Sequence, residues 1–254
     1  CGVPVWRSYA ALFEGSMGEA AWRVETILKA TPLVLIALGM AVAVRGGVWN
    51  VGGDGQFLMG AAAAGLLGLS LPPDASGWAL PAVLLAGVAG GAAWAAGPGL
   101  LRARLGANEI ILTVMLNYVA AYLVLFLVQG PLKHGYLPES APLPIGAAMP
   151  VLWQGTRLHA GIAIALAAVA AAALVLRFTT AGFELRAVGL DAHAAYASGL
   201  RVRHTQVLAF TISGALAGLA GAVELTATYG RLCKGMCPGY GFLGLAIAIL
   251  ARST

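Results

Sequence analysis

A polar, glycine-rich stretch at residues 47–56 constrains this chain most, because it lies between two apolar segments of membrane length. It places an amide, Asn50, a carboxyl, Asp54, and a second amide, Gln56, among several glycines. An acidic side chain at the centre of a bilayer costs at least about 2.5 kcal/mol, so it usually faces protein or a water-filled cavity. The stretch therefore predicts a site that lines a passage through the membrane.

The composition independently indicates a membrane protein. Hydrophobic residues make up 60% of the 254 residues and charged residues only 10%, whereas soluble domains carry roughly 25% charge. The Lys and Arg residues are scattered through loops rather than gathered in a stripe, which argues against nucleic-acid binding. We expect one all-α, polytopic bundle of transmembrane helices over residues 1–254.

Seven apolar segments are predicted, bounded by charges and by Pro and Gly clusters. They are residues 27–44, 56–71, 78–97, 110–129, 158–176, 206–225 and 240–251. The second and the last are shorter than the about 20 residues of a straight span. Each follows a glycine-rich stretch, which is typical of broken or re-entrant helices whose ends face a cavity. For the last segment, truncation of the chain explains the length equally well.

The two ends of the sequence favour a chain that lacks N-terminal and C-terminal segments. It starts at Cys1 without an initiator Met or a signal segment, and it stops at Thr254 shortly after an apolar run. Cys233 and Cys237 share one loop and leave two interpretations open, a disulfide pair or two free thiols.

Arginines in the loop at residues 177–205 predict the orientation. This loop carries arginines 177, 186, 201 and 203 against two acids, and an excess of Lys and Arg marks cytoplasmic loops. Alternation of the spans then places Arg45, Arg102 and Arg104 on the cytoplasmic side as well. The Pro-rich loop at residues 130–157 is expected outside.

Four polar residues are candidates for the substrate pathway. Asn50 and Gln56 can donate and accept hydrogen bonds, so they suit hydroxyls and ring nitrogens of a polar ligand. Asp54 has three open roles, which are to bind the ligand, to cap the following helix or to neutralise Arg45. Asn117 lies about two turns inside the fourth span, where an amide either bonds a neighbouring helix or faces the passage.

Small residues recur at helical spacing in two predicted spans. The motifs are Gly87-x-x-x-Gly91 and Gly214-x-x-x-Gly218, which allow helix backbones to approach closely in lipid. Such spacings are also common in ordinary membrane packing, so they carry no functional prediction by themselves.

A short helix is predicted in the cytoplasmic stretch at residues 182–199. Asp191 is a good N-cap and Gly199 a good helix stop, with one to two turns of small residues between them. Such a helix fits a groove on a partner protein, although a plain connecting helix would have the same pattern.

Four segments together resemble a known transport family. Residues 50–56 (NVGGDGQ) are similar to the N-I-G-x-E-G-Q signature of ATP-binding-cassette (ABC) importer permeases for branched-chain amino acids, simple sugars and nucleosides. Residues 108–120 (NEIILTVMLNYVA) resemble the N-E-x-x-x-T-x-M-L-N-Y segment of its simple-sugar and nucleoside branch, and of the nucleoside members most of all. Residues 186–195 and 213–222 resemble its cytoplasmic coupling loop and the following helix. The segments run in the family's order between about residues 31 and 250.

The resemblance implies a non-catalytic permease domain without cofactor or metal, in the plasma or inner membrane of a prokaryote. A second permease chain, cytoplasmic ABC ATPase subunits and an extracytoplasmic substrate-binding lipoprotein are the implied partners. Residues 177–205 become the coupling loop. Contact with the ATPase is expected at Glu184, Arg186, Gly189, Asp191, Ala194 and Ala195.

Two departures from the family pattern concern the pathway. Asp54 stands where the family has Glu, and Leu243 follows Gly241-Phe242 where the family commonly has Asp. Because of these two substitutions, the ligand contacts of the family are not carried over to Asp54 and Leu243.

An ion-coupled secondary transporter of a small polar solute is the alternative function. Its machinery would be carboxylates within the membrane, and Asp54, Glu109 and Glu224 are the candidates. The sequence holds no Walker-type glycine loop followed by Lys and Ser or Thr, so energy from ATP would have to come from a partner chain.

Overall fold

The computed structural model describes residues 4–251 apart from 73, 74, 76 and 154, so Cys1 and Thr254 lie outside the described residues. This part of the chain forms helices, short helical turns and loops with two isolated β-bridges, which confirms the all-α prediction. The ten α-helices of the described residues are α1 (Val5–Phe13), α2 (Ala20–Arg45), α3 (Gly53–Ser70), α4 (Ala79–Leu105), α5 (Glu109–Gln129), α6 (Gly161–Phe178), α7 (Thr180–Leu190), α8 (Ala192–Ala197), α9 (Val202–Glu224) and α10 (Tyr240–Leu250).

Five helices of the described residues are long and apolar enough to cross a membrane. They are α2, α4, α5, α6 and α9, the last continuing as a wider π-helical segment to Tyr229. The other two predicted segments are helices α3 and α10, of which α3 is more polar and α10 shorter. The prediction of about seven segments thus corresponds to five full spans and two helices that start inside the bundle.

Several helices are longer than the sequence indicated. The charged residues predict that the span ends before Arg102, yet α4 continues to Leu105 with Arg102 and Arg104 in its last turn. Cations at a helix C-terminus interact favourably with the helix dipole, so they extend a helix rather than end it. The turn itself is made by Gly106, whose φ of 66° is left-handed, and the Asn108 side chain then caps α5 through the N–H groups of Ile110 and Ile111.

The two glycine motifs contact one another across α4 and α9. A Cβ atom placed on Gly91 would lie 2.2 Å from the Gly214 carbonyl oxygen, and one placed on Gly218 would lie 2.3 Å from that of Gly87. Helix α3 joins this contact, because a Cβ on Gly60 would lie 2.3 Å from the Gly218 Cα. Three helix backbones therefore touch directly, without side chains between them.

The arginines of the predicted cytoplasmic side gather at one end of the bundle. Arg45 and Arg186 line one cleft there, and Arg102 and Arg203 line another. At the opposite end the loop after α5 pairs with the segment before α10, where the Ser140 N–H donates to the Leu232 carbonyl at 2.8 Å.

Helix α10 starts in the interior and runs beside the second half of α2. A Cβ on Gly244 would lie 2.7 Å from the Ile36 side chain, and Ala248 lines a cleft with Ala41 and Val44. The chain therefore leaves α9 at one end of the bundle, turns back inward and begins a helix part-way along α2. Because α10 then continues to the end where Arg45 and Arg186 lie, this is the course of a broken span whose helical half begins inside the bundle.

Substitution of Gly91 by Ala is expected to lower the free energy of unfolding by about 1–3 kcal/mol, because the added methyl meets backbone that cannot move aside. The matched control is Gly97→Ala in the same helix, where no atom lies within 4 Å of an added Cβ. Thermal unfolding of both purified variants in detergent checks the pair, and equal midpoints would contradict the close approach of α4 and α9.

Candidate functional site

Two amide side chains stabilise the helix break, which is formed by residues 46–52 between α2 and α3. The Asn50 Nδ2 donates to the Gln56 Oε1 at 2.9 Å, and the Gln56 Nε2 donates to the Asn50 Oδ1 at 2.9 Å. Both residues are 1% exposed. The pair bridges the break to the first turn of α3.

Asn50 has further partners on both sides of the pair. Its Nδ2 also donates to the Ser213 Oγ of α9 at 2.8 Å, and its Oδ1 accepts from the Gly52 N–H at 3.0 Å. Both donors and the acceptor of this amide are therefore used by protein groups in this conformation.

Asn117 of α5 forms hydrogen bonds with the backbone on the other side of the helix break. Its Oδ1 accepts from the Gly55 N–H at 2.8 Å, and its Nδ2 donates to the Val51 carbonyl at 3.0 Å. One turn earlier, the Thr113 hydroxyl accepts from the Val51 N–H at 3.3 Å. Of the two roles left open for Asn117, the one this conformation displays is the bond to a neighbouring element.

Asp54 contacts α10 rather than Arg45. Its Oδ1 accepts from the Gly241 N–H at 2.6 Å and from the Cys237 thiol at 2.9 Å. A Cβ on Gly241 would lie 2.4 Å from the Asp54 nitrogen, so only glycine allows this approach. Asp54 thus caps a helix, but the helix belongs to a distant part of the sequence.

Cys237 is half-buried, and its free thiol donates to the Asp54 carboxyl. Cys233, in the same loop, is likewise a free thiol in this structure.

The three carboxyls considered for ion coupling have separate protein surroundings. Asp54 binds the start of α10, and Glu109 forms an ion pair with Arg102. Glu224 is buried against a small cavity of about 60 Å³ that Lys29 also lines. The structure brings none of the three together.

The predicted coupling segment forms two consecutive helices. Asp191 caps α8 by accepting from the N–H groups of His193 at 2.8 Å and Ala194 at 3.0 Å, and Gly199 follows the helix with a φ of 84°. Those N–H groups, Ala194 first, hold the pKa of Asp191 below its usual value. The cap is therefore complete above the ordinary Asp pKa and is lost only as the pH falls through the lowered value. The predicted short helix is confirmed.

Sequence reasoning missed α7 as a helix of its own. Thr179 caps it by accepting from the Gly182 N–H at 3.2 Å, and the Arg186 guanidinium donates to the Leu176 carbonyl at the end of α6. A Cβ on Gly189 would lie 2.0 Å from the Arg45 carbonyl oxygen, so α7 packs directly on the end of α2.

The six predicted coupling residues differ in exposure. Asp191 and Ala194 are exposed, whereas Ala195 is 5% exposed and belongs to the packing of α8. Glu184, Arg186 and Gly189 lie on α7, with Arg186 and Gly189 engaged by α6 and α2 as described.

Comparison with known proteins places the chain in a family. Residues 23–253 match the family described as "Branched-chain amino acid transport system / permease component". The chain belongs to this permease family. The chain is also 39% identical to the guanosine ABC transporter permease protein NupP of Bacillus subtilis, over 100% of this chain and 74% of that protein.

Two further relatives have the same type of description. The glucose ABC transporter permease protein of Haloferax volcanii is 35% identical over 97% of this chain and 68% of its own length. The nucleoside ABC transporter permease protein NupB of Lactococcus lactis is 32% identical over 99% of this chain and 72% of its own length. Among solved structures, none matches the chain significantly.

The resemblance inferred from the four segments is therefore confirmed, and the chain is a multi-pass ABC transporter permease. Family membership decides against the ion-coupled alternative. The permease also contains two site residues that sequence reasoning did not select, Thr113 and Ser213. Thr113 precedes Asn117 by four residues, so helical spacing places both on one face of α5; nothing in the sequence near Ser213 indicates its bond to Asn50.

Replacement of Asn117 by Leu in the permease is expected to reduce transport and the free energy of unfolding. It leaves the Gly55 N–H and the Val51 carbonyl without partners, at about 1–3 kcal/mol for each buried group. Gln129→Leu, an exposed amide at the end of the same helix, is the control. Uptake and thermal unfolding measured together check the result, and wild-type behaviour of the Asn117 variant would relegate this amide to a minor role.

Proposed function

We propose that this chain is the permease subunit of an ABC importer for nucleosides, located in the plasma membrane of a prokaryote. Two permease chains enclose the passage, and a substrate-binding lipoprotein delivers the nucleoside outside. ATP is hydrolysed by separate subunits, so the chain itself carries no catalytic site. The observation that carries the proposal is the 39% identity to a guanosine permease over the whole chain.

A simple sugar is the second candidate substrate, favoured by the 35% identity to a glucose permease. Both ligands are polar and carry several hydroxyls, so a passage lined by hydrogen-bonding groups suits either. Uptake of radiolabelled guanosine and glucose by cells that express the complete transporter distinguishes the two.

Residues 177–205 are proposed as the coupling loop. Helix α8 is capped, short and exposed along Asp191 and Ala194, which suits insertion into a groove of an ATPase subunit. Its movement would reach α7, which packs on the last carbonyl of α2 through Gly189. Because the helix break starts at the next residue, a displacement of α7 acts directly on the break.

Asn50, Asp54, Gln56 and Asn117 are proposed to act on the pathway by setting its shape. Their hydrogen bonds fix where α3 and α10 begin, and both helices start at this point in the interior. A change in these bonds would shift both helix starts and with them the wall of the passage. This role is compatible with the burial of the Asn50, Gln56 and Asn117 side chains in this conformation.

The proposed orientation can be tested by labelling of intact cells. Single cysteines at Tyr136 and Leu190, both well exposed, are introduced after the native cysteines are replaced by Ser. An impermeant maleimide is expected to label position 136 and to reach position 190 only after the cells are opened. Ser140, in the same external loop, is buried and unsuited to this experiment. The reverse labelling pattern would overturn the orientation.

Substitution of Ala194 by Glu is expected to detach the ATPase subunits or to uncouple hydrolysis from uptake. The change adds bulk and charge to the exposed side of α8 without filling space inside the bundle. Ala148→Glu, at an exposed position on the opposite end, is the matched control. Ala195→Glu is uninformative here, because Ala195 is buried and its variant would disturb α8 itself. If the Ala194→Glu variant copurifies with the ATPase and takes up substrate at wild-type levels, α8 only connects α7 to α9.

A further inference from the structure

Helix α5 exposes a continuous line of large side chains, here called the tyrosine face. It consists of Ile111, Met115, Tyr118, Tyr122 and Phe126. Successive members are three or four residues apart, so they lie one above another on a single side of the helix. The opposite side of α5 carries Thr113 and Asn117, which hold the helix break.

The two tyrosines lie at an unusual depth. By helical rise, Tyr118 is about 14 Å and Tyr122 about 20 Å from the start of α5, which puts both in the middle part of the span. They are 64% and 71% exposed, and neither hydroxyl has a hydrogen-bond partner among the described residues. Tyrosine normally sits at membrane interfaces, since its hydroxyl is costly to bury in hydrocarbon without a partner.

Other spans show what a lipid-facing side of this bundle looks like. The large exposed residues in the middle of α6 are Leu166, Val169 and Leu174, all aliphatic. Helix α4 exposes Leu85, Leu100 and Leu101 in the same way. Among the five full spans of the described residues, α5 alone exposes tyrosine, which distinguishes its outer side from these aliphatic surfaces.

We propose that the tyrosine face lines the substrate passage and that Tyr118 and Tyr122 stack on the base of the transported nucleoside. The inference rests on the proposed function and adds the residues that recognise the base. A water-filled passage provides partners for both hydroxyls, which lipid does not. Aromatic rings stack on any planar base, and the flexible thioether of Met115 adapts to bases of different shape.

The position of the two tyrosine rings also links recognition of the base to the conformation of the helix break. Tyr118 adjoins Asn117, so one peptide unit separates a ring on the passage from an amide bound to the Val51 carbonyl. A shift of the break therefore displaces the tyrosine face. The shape of the passage then changes at the position where the base binds.

The test uses the complete transporter and the variants Tyr118→Leu and Tyr122→Leu. Each is expected to raise the KM for guanosine uptake about tenfold with little change in the maximal rate, because stacking is lost while the helix and its amide contacts remain. Tyr118→Phe and Tyr122→Phe retain the ring and are expected within about twofold of wild type. Tyr136→Leu, a fully exposed loop tyrosine, is the control and is expected to leave uptake unchanged.

A second readout does not depend on turnover. Photoactivated 8-azidoguanosine is expected to label the peptide that contains Tyr118 and Tyr122, and excess guanosine should prevent this labelling. Unchanged KM in both Leu variants, or an equal loss in the Phe variants, overturns stacking. If the purified Leu variants lose the second permease chain, the tyrosine face is a subunit interface instead. This result also overturns the inference.

The proposed function and the inference fail in different ways. A wild-type transporter that imports neither guanosine nor glucose contradicts the proposed importer function. Import of glucose alone contradicts the proposal that the substrate is a nucleoside. If wild type imports guanosine and the tyrosine variants behave like wild type, only the inference is overturned.

Discussion

Backbone polar groups exposed by a broken helix must find partners inside the protein, since the hydrocarbon of a bilayer offers none. This requirement governs the segment between α2 and α3. Asn50, Gln56 and Asn117 meet it with side-chain amides, which can donate and accept at the same site without carrying charge. In this conformation the break is therefore stabilised by the fold, and α3 and α10 can both begin inside the bundle.

The rest of the packing follows from bringing those amides together. Ser213 reaches Asn50 only if α9 lies close to the break, and the glycines one and five residues after Ser213 let α9 touch α4 and α3. Helix α5 must face the break with Asn117 and Thr113, which turns its aromatic residues outward. The same constraint thus fixes the interior of the bundle and the face that we assign to the substrate.

The features that the sequence predicted well are local. Apolar runs mark the spans, the two glycine spacings mark a close contact between helices, and Asp191 with Gly199 marks α8, because each depends on residues within a few turns. The partners of the amides are different. Asn50 and Ser213 are 163 positions apart, and a pattern of polar residues does not reveal whether an amide faces a ligand or another amide. Burial of Ala195 was equally hidden, since it depends on how α8 lies against α7.

Helices α3 and α10 begin at the same point, where the Asp54 carboxyl in the first turn of α3 accepts from the Gly241 N–H of α10. Each N-terminus carries a partial positive charge of roughly half an elementary charge, so the two helix ends repel one another. An acidic side chain between them turns this repulsion into attraction to a shared centre. The aspartate therefore holds together the starts of two helices that run toward opposite ends of the bundle.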